Sequence, residues 1–480
     1  MLVEVRPTGR LRGKDPVDVT AALDPVLRAL CAGAVDLSRV RVVCDWVQYK
    51  QNFREPVDVR IVAPDPRLNG RGADTVEVAV DLRRPVDDVG AALAATDDDR
   101  MYLEDWGPGR RSCIWQFNGL YWSHLRLWEE ATGQGYESAL PGGQSDATNT
   151  DGARELIGEL FAIWDDLAAR QALPEQLYVV ELGVGNGSQA ATFLDTFLEM
   201  DRAAGREYYR RLHYLMCDYS PHVLELARAA VATHSENVSS FVLDAMHPMT
   251  ALSFLRFTVF LVYISNVYDN LPTDELASIG QREYVVETRA YLPAATAAQI
   301  AADLAIGVDA LPALVHRLLT LGPPLLAEAS PHVADTAAAV AFWRRCWEGL
   351  RLAERYVPLD GLDTYEIARG ISGEALRPLL AATGDVRMHV GNGAVASFAE
   401  TMPLLHPYGR LICHDLFVTD THMYRTGFRG PGKYDGSVVN WVNGPLLAHI
   451  GHRKGFDVRF APFAHRAGSF VQTMTAQVRE

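Results

Sequence analysis

The amino-acid sequence predicts an α/β fold, in which a doubly wound, Rossmann-like sheet carries an inserted helical cap and a small N-terminal α+β lobe. Three observations support this prediction. Apolar runs of strand length alternate with helical patterns between residues 177 and 265, which is typical of a parallel sheet. An Ala- and Leu-rich stretch interrupts this alternation between about residues 282 and 384. Short runs of alternating apolar residues occur in the first 100 residues.

Length, composition and charge exclude several classes of protein. The chain has 480 residues, of which 48% are hydrophobic, so it can bury one large core or two medium-sized ones. A net charge of -15 disfavours binding to a phosphate backbone. The longest apolar run, Phe257 to Ile264, is far too short to span a bilayer, and the six cysteines lie far apart. We therefore expect a cytoplasmic protein without nucleic-acid or membrane partners.

Residues 1–112 are predicted to form the N-terminal accessory lobe. Three of its segments are predicted strands: VRVVCDWVQYK from Val40, VDVRIVA from Val57 and DTVEVAVDL from Asp74. A helical pattern over about Val86 to Ala95 follows, and then a polar, glycine-rich connection. The charged residues of this lobe show no site pattern, so we expect it to have a structural, capping or homodimer-forming role.

Residues 113–480 are predicted to form the domain with the main sheet, and its helical insertion covers about residues 282–384. An amphipathic helix is expected over about Asp151 to Arg170. Ser220 is expected to cap a later helix, with Pro221 in its first turn. The strands predicted for the sheet are LYVVELG, LHYLMCD, SFVLDA, FTVFLVYIS, GRLICHDLFV, FDVRFAPF and FVQTMTAQV.

Three glycines at alternate positions, Gly183, Gly185 and Gly187, follow a buried strand and precede a helix. Because glycine has no Cβ, a ligand can lie against such a turn and against the helix N-terminus. The spacing G-x-G-x-G-S differs from the G-x-G-x-x-G of dinucleotide-binding turns. Glu181, just before the glycines, suits a positively charged ligand. S-adenosylmethionine, which carries an ammonium and a sulfonium, fits these features.

Acids at the ends of the next two predicted strands support the same ligand. Asp218 is placed to accept hydrogen bonds from two ribose hydroxyls, and Asp244 lies where such folds often meet an adenine ring. The alternative is a tight turn with ordinary helix-capping acids. The residues predicted to bind S-adenosylmethionine are Glu181, Gly183, Gly185, Asn186, Gly187, Asp218, Tyr219, Asp244, Ala245, Ser265 and Asn266.

Several segments together resemble one family. GYESALPGGQSDATNTDGARELIGELFA, ELGVGNGS, YLMCDYSPHVLELA and ISNVYDNLP follow one another as in the mitochondrial complex I assembly-factor methyltransferases and their bacterial MidA relatives. The resemblance covers roughly Gly135 to Pro272 and, more loosely, GRLICHDLFV. It implies a class I S-adenosylmethionine-dependent methyltransferase fold with a helical insertion. The mitochondrial member of this family methylates arginine, so the resemblance also implies arginine as a methyl acceptor.

The chain departs from this family at one acid. The family pattern has the form N-E-x-x-D-x-L-P, and Asp269, Leu271 and Pro272 match its second half. Ser265 and Asn266 stand where the family has Asn and Glu, so the acidic side chain is missing.

The methyl acceptor must be held in line with the methyl carbon, and this displacement needs no metal. A guanidinium acceptor is protonated at physiological pH, so a carboxylate must bind it and draw off charge. Asp269, which follows the fourth strand, is the first candidate, and a helix cap is its alternative role. Glu287, His414 and Asp415 are further candidates. The alternatives are a surface ion pair for Glu287 and a turn cap for Asp415.

The sequence therefore predicts an S-adenosylmethionine-dependent N-methyltransferase. Its expected acceptor is the guanidino group of arginine, in a protein or in an arginine-like small molecule. A non-catalytic assembly or binding protein with the same fold is the alternative, and Asn266 in place of the acid supports it. An NAD-dependent oxidoreductase is disfavoured by the glycine spacing.

Overall fold

The fold was analysed in a computed structural model. The described residues are 1–6, 19–33, 36–45, 52–62, 75–82, 84, 89–136, 149–426, 430–465 and 469–479. Parts of five sequence predictions lie outside them. These are residues 46–50, 63 and 74 of the three predicted N-terminal strands, residues 86–88 of the predicted N-terminal helix, and residues 137–148 of the segment that carries part of the family resemblance.

In the described residues, hydrogen bonding defines the strands of two large sheets and three two-stranded sheets, together with the helices. The strands are β1 (Leu2–Arg6), β2 (Val40–Asp45), β3 (Val57–Val62), β4 (Thr75–Asp81), β5 (Arg100–Tyr102), β6 (Gly107–Pro108), β7 (Leu177–Leu182), β8 (Leu212–Asp218), β9 (Val238–Val242), β10 (Val259–Ser265), β11 (Glu275–Ile279), β12 (Arg282–Pro293), β13 (Arg351–Pro358), β14 (Glu366–Ala368), β15 (Ile371–Ser372), β16 (Val386–His389), β17 (Leu405–Asp415), β18 (Phe417–Val418), β19 (Gly432–Tyr434), β20 (Ser437–Val439), β21 (Val442–Asn443), β22 (Phe456–Pro462) and β23 (Gln472–Val478). The α-helices are Val19–Ala32, Val89–Ala94, Ile114–Ser123, Leu125–Thr132, Thr150–Ala169, Ser188–Ala203, Pro221–Ala230, Met249–Leu252, Ala294–Asp303, Leu311–Ala329, Thr336–Gly349, Arg377–Thr383, Asn392–Thr401 and Gly444–Arg453.

The chain divides into two compact units, each built from three segments. The segments of the first unit are Met1–Tyr121, Pro272–Val390 and Asp420–Trp441. The segments of the second unit are Trp122–Leu271, Gly391–Thr419 and Val442–Glu480.

The second unit contains the predicted main sheet. Its strand order is β9-β8-β7-β10-β17-β23-β22. Numbered by their order along the chain, these strands run 3-2-1-4-5-7-6. Strand β23 is antiparallel to both neighbours, whereas the pairs from β9 to β17 are parallel. This order confirms the predicted doubly wound, Rossmann-like class I methyltransferase fold.

The sequence patterns explain why the second unit folds as it does. Strand β10 is buried at six of its seven positions, as expected for a parallel strand covered on both faces. The helix Thr150–Ala169 begins at its N-cap Asn149, and its apolar stripe lies in the core. The Ser220 hydroxyl accepts a hydrogen bond from the Val223 N–H at 3.3 Å, which confirms the predicted cap. The buried stripe of the helix Thr150–Ala169 comprises Leu156, Leu160, Trp164 and Leu167.

The first unit has a different, mixed sheet, with the strand order β1-β2-β4-β3-β13-β12-β11-β16. Strands β2, β3 and β4 confirm the three strands predicted in the N-terminal lobe. Arg60 and Arg387 are buried here and bind Glu354 at 2.9 Å each, and Arg60 also binds Glu77 at 3.0 Å. Because each buried guanidinium lies beside a carboxylate, the attraction between them offsets part of the cost of removing both from water.

The predicted helical insertion differs from the structure. Its Ala- and Leu-rich segments do form helices, but β12 and β13 also lie between residues 282 and 384. Strand β13 pairs with β3 through Arg355 and Ile61, so this segment shares a sheet with the N-terminal strands. The division into units therefore differs from the predicted boundaries of 1–112 and 113–480.

One helix in the described part of the chain is long and apolar enough to cross a membrane. It covers Val308–Ala329, that is, the α-helix Leu311–Ala329 and the short 3-10 turn before it. Its most apolar 18-residue window has a mean hydropathy of 1.3, and 39% of that window is buried. The helix is kinked at Gly322, just before Pro323 and Pro324. A single helix of this kind is weak evidence for membrane insertion, because core helices meet the same criteria.

Candidate functional site

The glycine-rich turn joins β7 to the helix Ser188–Ala203 and packs against two neighbouring elements. The Gly183 N–H donates a hydrogen bond to the Cys217 carbonyl at 2.8 Å. Gly183 and Gly187 have φ values of 77° and 82°, a region that favours glycine. A Cβ at Gly187 would lie 2.6 Å from the Ala227 Cα, and one at Gly183 would collide with the Val267 side chain. Packing against Val267 and Ala227 therefore accounts for these two glycines, and the room for a cofactor expected from the sequence stays a prediction.

Glu181 lies at the carboxyl end of β7 and is 3% exposed. Its carboxylate accepts a hydrogen bond from the Tyr214 hydroxyl at 2.7 Å. Burial raises the pKa of Glu181 to about 8, although the Tyr214 hydrogen bond lowers it. A nearby cation would favour the ionised form, so this carboxylate suits the positively charged ligand expected from the sequence.

Asp218 ends β8 and reaches the glycine-rich turn. Its Oδ2 accepts a hydrogen bond from the Gly185 N–H at 3.3 Å, and its Oδ1 accepts one from the Ser220 N–H at 2.9 Å. Burial raises the pKa of Asp218 to about 6, against the effect of these backbone N–H groups. The two hydrogen bonds hold the carboxylate between the first and second strand ends.

A backbone hydrogen bond joins the segment after β9 to the end of β8. The Leu243 N–H donates to the Asp218 carbonyl at 3.0 Å, and Asp244 follows directly. The Asp244 Oδ1 accepts a hydrogen bond from the Met246 N–H at 2.8 Å, and Ala245 lies between them, partly exposed. Tyr219, after Asp218, is 47% exposed. The Asn186 Oδ1 in the glycine-rich turn accepts a hydrogen bond at 2.9 Å from the N–H of Ser188, the first residue of the following helix.

The fourth strand, β10, ends at Ser265, which is paired with His414 of β17. Asn266 follows with a φ of 52°, the left-handed region, and its N–H donates to the His414 carbonyl at 2.9 Å. The Val267 side chain then faces Gly183. The structure thus brings the predicted residues of β7, β8, β9 and β10 to one edge of the sheet.

Asp269 and Asp415 form a buried carboxyl pair near this edge, 5% and 0% exposed. The Asp415 Oδ2 accepts hydrogen bonds from the Tyr268 N–H at 2.8 Å and the Asp269 N–H at 3.4 Å. Its Oδ1 accepts one from the Leu416 N–H at 2.7 Å. Burial raises the pKa of Asp269 to about 6, and burial beside Asp269 raises the pKa of Asp415 well above its usual range. The charged form of Asp415 is therefore disfavoured both by burial and by the neighbouring Asp269.

The other two acceptor candidates are engaged elsewhere. The His414 Nδ1 lies 2.9 Å from the Thr473 hydroxyl, and burial lowers the pKa of His414 to about 4, so the ring is neutral. Glu287 belongs to β12 in the first unit, where its carboxylate accepts two hydrogen bonds from Arg355 at 2.8 and 2.6 Å. Glu287 thus forms a cross-strand ion pair with Arg355, and an ion pair is the alternative role that the sequence suggested for it.

Two tyrosines of the site were missed by sequence reasoning. Tyr214 donates to Glu181 from the middle of β8, and the Tyr136 hydroxyl reaches Gly185. The strand register could have revealed Tyr214, because Tyr214 lies two residues before Met216, which pairs with Glu181. Tyr136 lies in the segment GYESALPGG that carries part of the family resemblance, but it is far from the turn in sequence, and no spacing connects the two.

Comparisons with known proteins yielded solved structures but no family. No family model matches the chain, and no curated protein matches it. A Burkholderia thailandensis protein with bound S-adenosyl-homocysteine is 14% identical, covering 78% of this chain and 88% of that chain, with a TM-score of 0.44. The DszA carbon methyltransferase is 13% identical, covering 77% and 67%, with a TM-score of 0.33. An O-methyltransferase family protein from Burkholderia thailandensis is 10% identical, covering 76% and 71%, with a TM-score of 0.27. These likenesses are distant, and any function of this chain must be inferred from its own strand order and side chains.

Proposed function

We propose that the chain is an S-adenosylmethionine-dependent methyltransferase whose cofactor lies at the carboxyl ends of β7, β8 and β9. One observation carries this proposal. The Asp218 carboxylate is held by the Gly185 N–H and the Ser220 N–H, beside a glycine-rich turn in a sheet with the class I strand order. Ligands of open α/β sheets bind in the crevice at these strand ends.

The residues present fit this cofactor. Glu181 is a buried acid whose pKa is raised to about 8, and a bound ammonium would offset the cost of ionising it. Asp218 would accept hydrogen bonds from the ribose hydroxyls, and Asp244 with Ala245 would flank the adenine. The N-terminus of Ser188–Ala203 would favour the carboxylate. When bound, the cofactor supplies an electrophilic methyl group.

For the acceptor we propose the guanidino group of arginine or of an arginine-like molecule. The Asp269 and Asp415 pair supports this choice, since burial raises the pKa of both acids and a bound cation would favour their ionised form. A guanidinium needs a negative charge to bind and to lose a proton. The resemblance to the MidA relatives points to the same chemistry.

The second candidate function is a binding or assembly protein without turnover. Asn266 favours it, because this neutral residue stands where the resembling family has an acid. The two candidates differ in methyl transfer and share cofactor binding.

Calorimetry with S-adenosylhomocysteine and NADH tests the cofactor. We expect the parent to bind only S-adenosylhomocysteine, and Asp218→Asn to bind it about 10- to 100-fold more weakly, because hydrogen bonds to a charged group are lost. Asp166→Asn is the matched control, since Asp166 is an exposed acid paired with Arg170. Equal affinity of Asp218→Asn and the parent would contradict the proposed site.

Methylation assays with labelled S-adenosylmethionine, free arginine and an arginine-containing peptide test the acceptor. Label transferred to either one supports the guanidino acceptor. Cofactor binding without label transfer to either compound would contradict the guanidino acceptor and favour the binding protein.

A further inference from the structure

A tyrosine outside the predicted site reaches the glycine-rich turn. The Tyr136 hydroxyl lies 3.0 Å from the position that a Cβ would have at Gly185. Gly185 is partly exposed, and its N–H donates to Asp218. The phenol therefore touches the turn at the residue that bridges the first two strand ends.

Neighbouring groups fix the position of Tyr136. Its N–H donates to the Glu129 Oε1 at 2.8 Å, and its ring packs edge-on against Trp122 with centroids 5.9 Å apart. The other carboxylate oxygen of Glu129 lies 3.9 Å from the Nε2 of His222, in the first turn of Pro221–Ala230. Tyr136 is thus tied to the helix that follows Asp218, which limits how far its hydroxyl can move from the turn.

The charges around the turn indicate which part of a cofactor would meet this hydroxyl. Glu181, before the turn, suits an ammonium, whereas the helix N-terminus at Ser188 attracts an anion. Gly185 lies between them, three residues before the helix begins. The methionine moiety of the cofactor carries both an ammonium and a carboxylate, so its carboxylate belongs on the Ser188 side.

We infer that the Tyr136 hydroxyl donates a hydrogen bond to the carboxylate of the methionine moiety, an inference that rests on the proposed cofactor. Tyr136 is then a cofactor-binding residue that selects ligands with an intact amino-acid portion. Such a bond joins a neutral donor to a charged acceptor, the stronger class of hydrogen bond in proteins.

Two ligands that differ only in the amino-acid portion test this inference. S-adenosylhomocysteine has that portion and 5′-methylthioadenosine lacks it. We expect Tyr136→Phe to bind S-adenosylhomocysteine about tenfold or more weakly, as for the loss of one hydrogen bond to a charged group. Its affinity for 5′-methylthioadenosine should stay within about twofold of the parent. Tyr178→Phe is the matched control, because it removes a phenol that binds Gln176 at the amino end of β7.

Three results would overturn the inference. If Tyr136→Phe binds S-adenosylhomocysteine as the parent does, Tyr136 makes no contact with the carboxylate. If both ligands lose affinity equally, the hydroxyl supports the adenosine side or the fold. If the parent binds neither ligand, the proposed cofactor fails, and the inference fails with it. Thermal unfolding of each variant checks that the affinities are measured on folded protein.

Discussion

At the scale of single residues, the two acids of the carboxyl pair have different surroundings. Asp415 accepts hydrogen bonds from three backbone N–H groups, which fix the turn after β10 against the end of β17. The Asp269 side chain accepts a hydrogen bond from the Asn270 amide at 2.8 Å. Asp415 is therefore held by the backbone, and Asp269 is the acid that we propose to bind the acceptor.

Substitution of each acid by its amide separates these roles. We expect Asp269→Asn to keep S-adenosylhomocysteine affinity within about threefold and to lose turnover by about 10²-fold, as for a group that positions the acceptor or relays its proton. Asp415→Asn should lower the free energy of unfolding by about 2–4 kcal/mol, because the amide keeps only one of the two acceptor oxygens and leaves a buried N–H group without its partner. Single-turnover methylation and urea unfolding measure the two effects. Parental turnover in Asp269→Asn would reduce Asp269 to a turn residue.

The sequence predicted the residues at strand ends but not their partners. Glu181 and Asp218 follow apolar runs, so their place at the sheet edge could be inferred from chain order alone. Tyr214 and Tyr136 come close to these residues only in the folded chain. Arg355, the partner of Glu287, is 68 residues away in sequence, so the sequence did not show that Glu287 is already paired. Partners that are remote in sequence leave no local pattern.

At the scale of elements, the glycine-rich turn connects three pieces of the second unit. Gly183 lies against Val267, which follows β10, and Gly187 lies against Ala227 in the helix Pro221–Ala230. The turn is thus held by close packing on both sides. A side chain added here affects the positions of two strand ends even where it touches no ligand.

The contact between Gly183 and Val267 can be tested by rescue. Gly183→Ala should lower the free energy of unfolding by about 2–3 kcal/mol, from the backbone strain of a positive φ plus the collision with Val267. With Val267→Ala in the background, only about 1 kcal/mol of strain should remain. Gly205→Ala is the control, because Gly205 has a φ of 63° with nothing within 4 Å. Urea unfolding measures all of these variants, and an equal cost in both backgrounds would show that Val267 moves aside freely.

Whole elements were predicted with unequal success, for a physical reason. Strands β7, β8 and β10 of the second unit are apolar because both faces are covered, and such runs are recognisable without knowing their neighbours. Strands β12 and β13 contain charges, among them Glu354, which is buried beside Arg54 at 3.0 Å. Arg54 lies 300 residues earlier in the chain, so the sequence around β13 did not reveal that its acid is buried.

At the scale of the whole molecule, a buried acid among several arginines differs from the buried acids at the sheet edge of the second unit. In the first unit the Glu354 carboxylate lies among Arg387, Arg54 and Arg60, which hold its pKa well below the usual range despite burial. In the second unit burial raises the pKa of the acids at the strand ends. A sheet edge with acids of raised pKa is typical of a functional site, whereas balanced pairs are typical of structure. In the second unit, the acids with raised pKa near this edge are Glu181, Asp218, Asp269 and Asp415.

This difference makes the stability of the whole protein depend on pH through Glu181. Its pKa rises from 4.5 to about 8 on folding, so the folded state binds more protons between these values. The stabilisation is complete below about pH 4.5 and is lost as pH rises through about 8. His389, His414 and Lys433, whose pKa values are lowered, act in the opposite direction, so the total slope mixes several groups.

Glu181→Gln isolates the contribution of this acid, because the other groups are unchanged. Between pH 6.5 and 8, we expect the free energy of unfolding of the parent to fall relative to that of Glu181→Gln, by about 1 kcal/mol per pH unit. Saturating S-adenosylhomocysteine should flatten the slope of the parent, since its ammonium favours the ionised carboxylate that high pH produces. Urea unfolding at four pH values, with and without ligand, measures both effects. Parallel curves for parent and variant without ligand would mean that Glu181 is ionised throughout, and a ligand ammonium would then have no buried neutral acid to ionise.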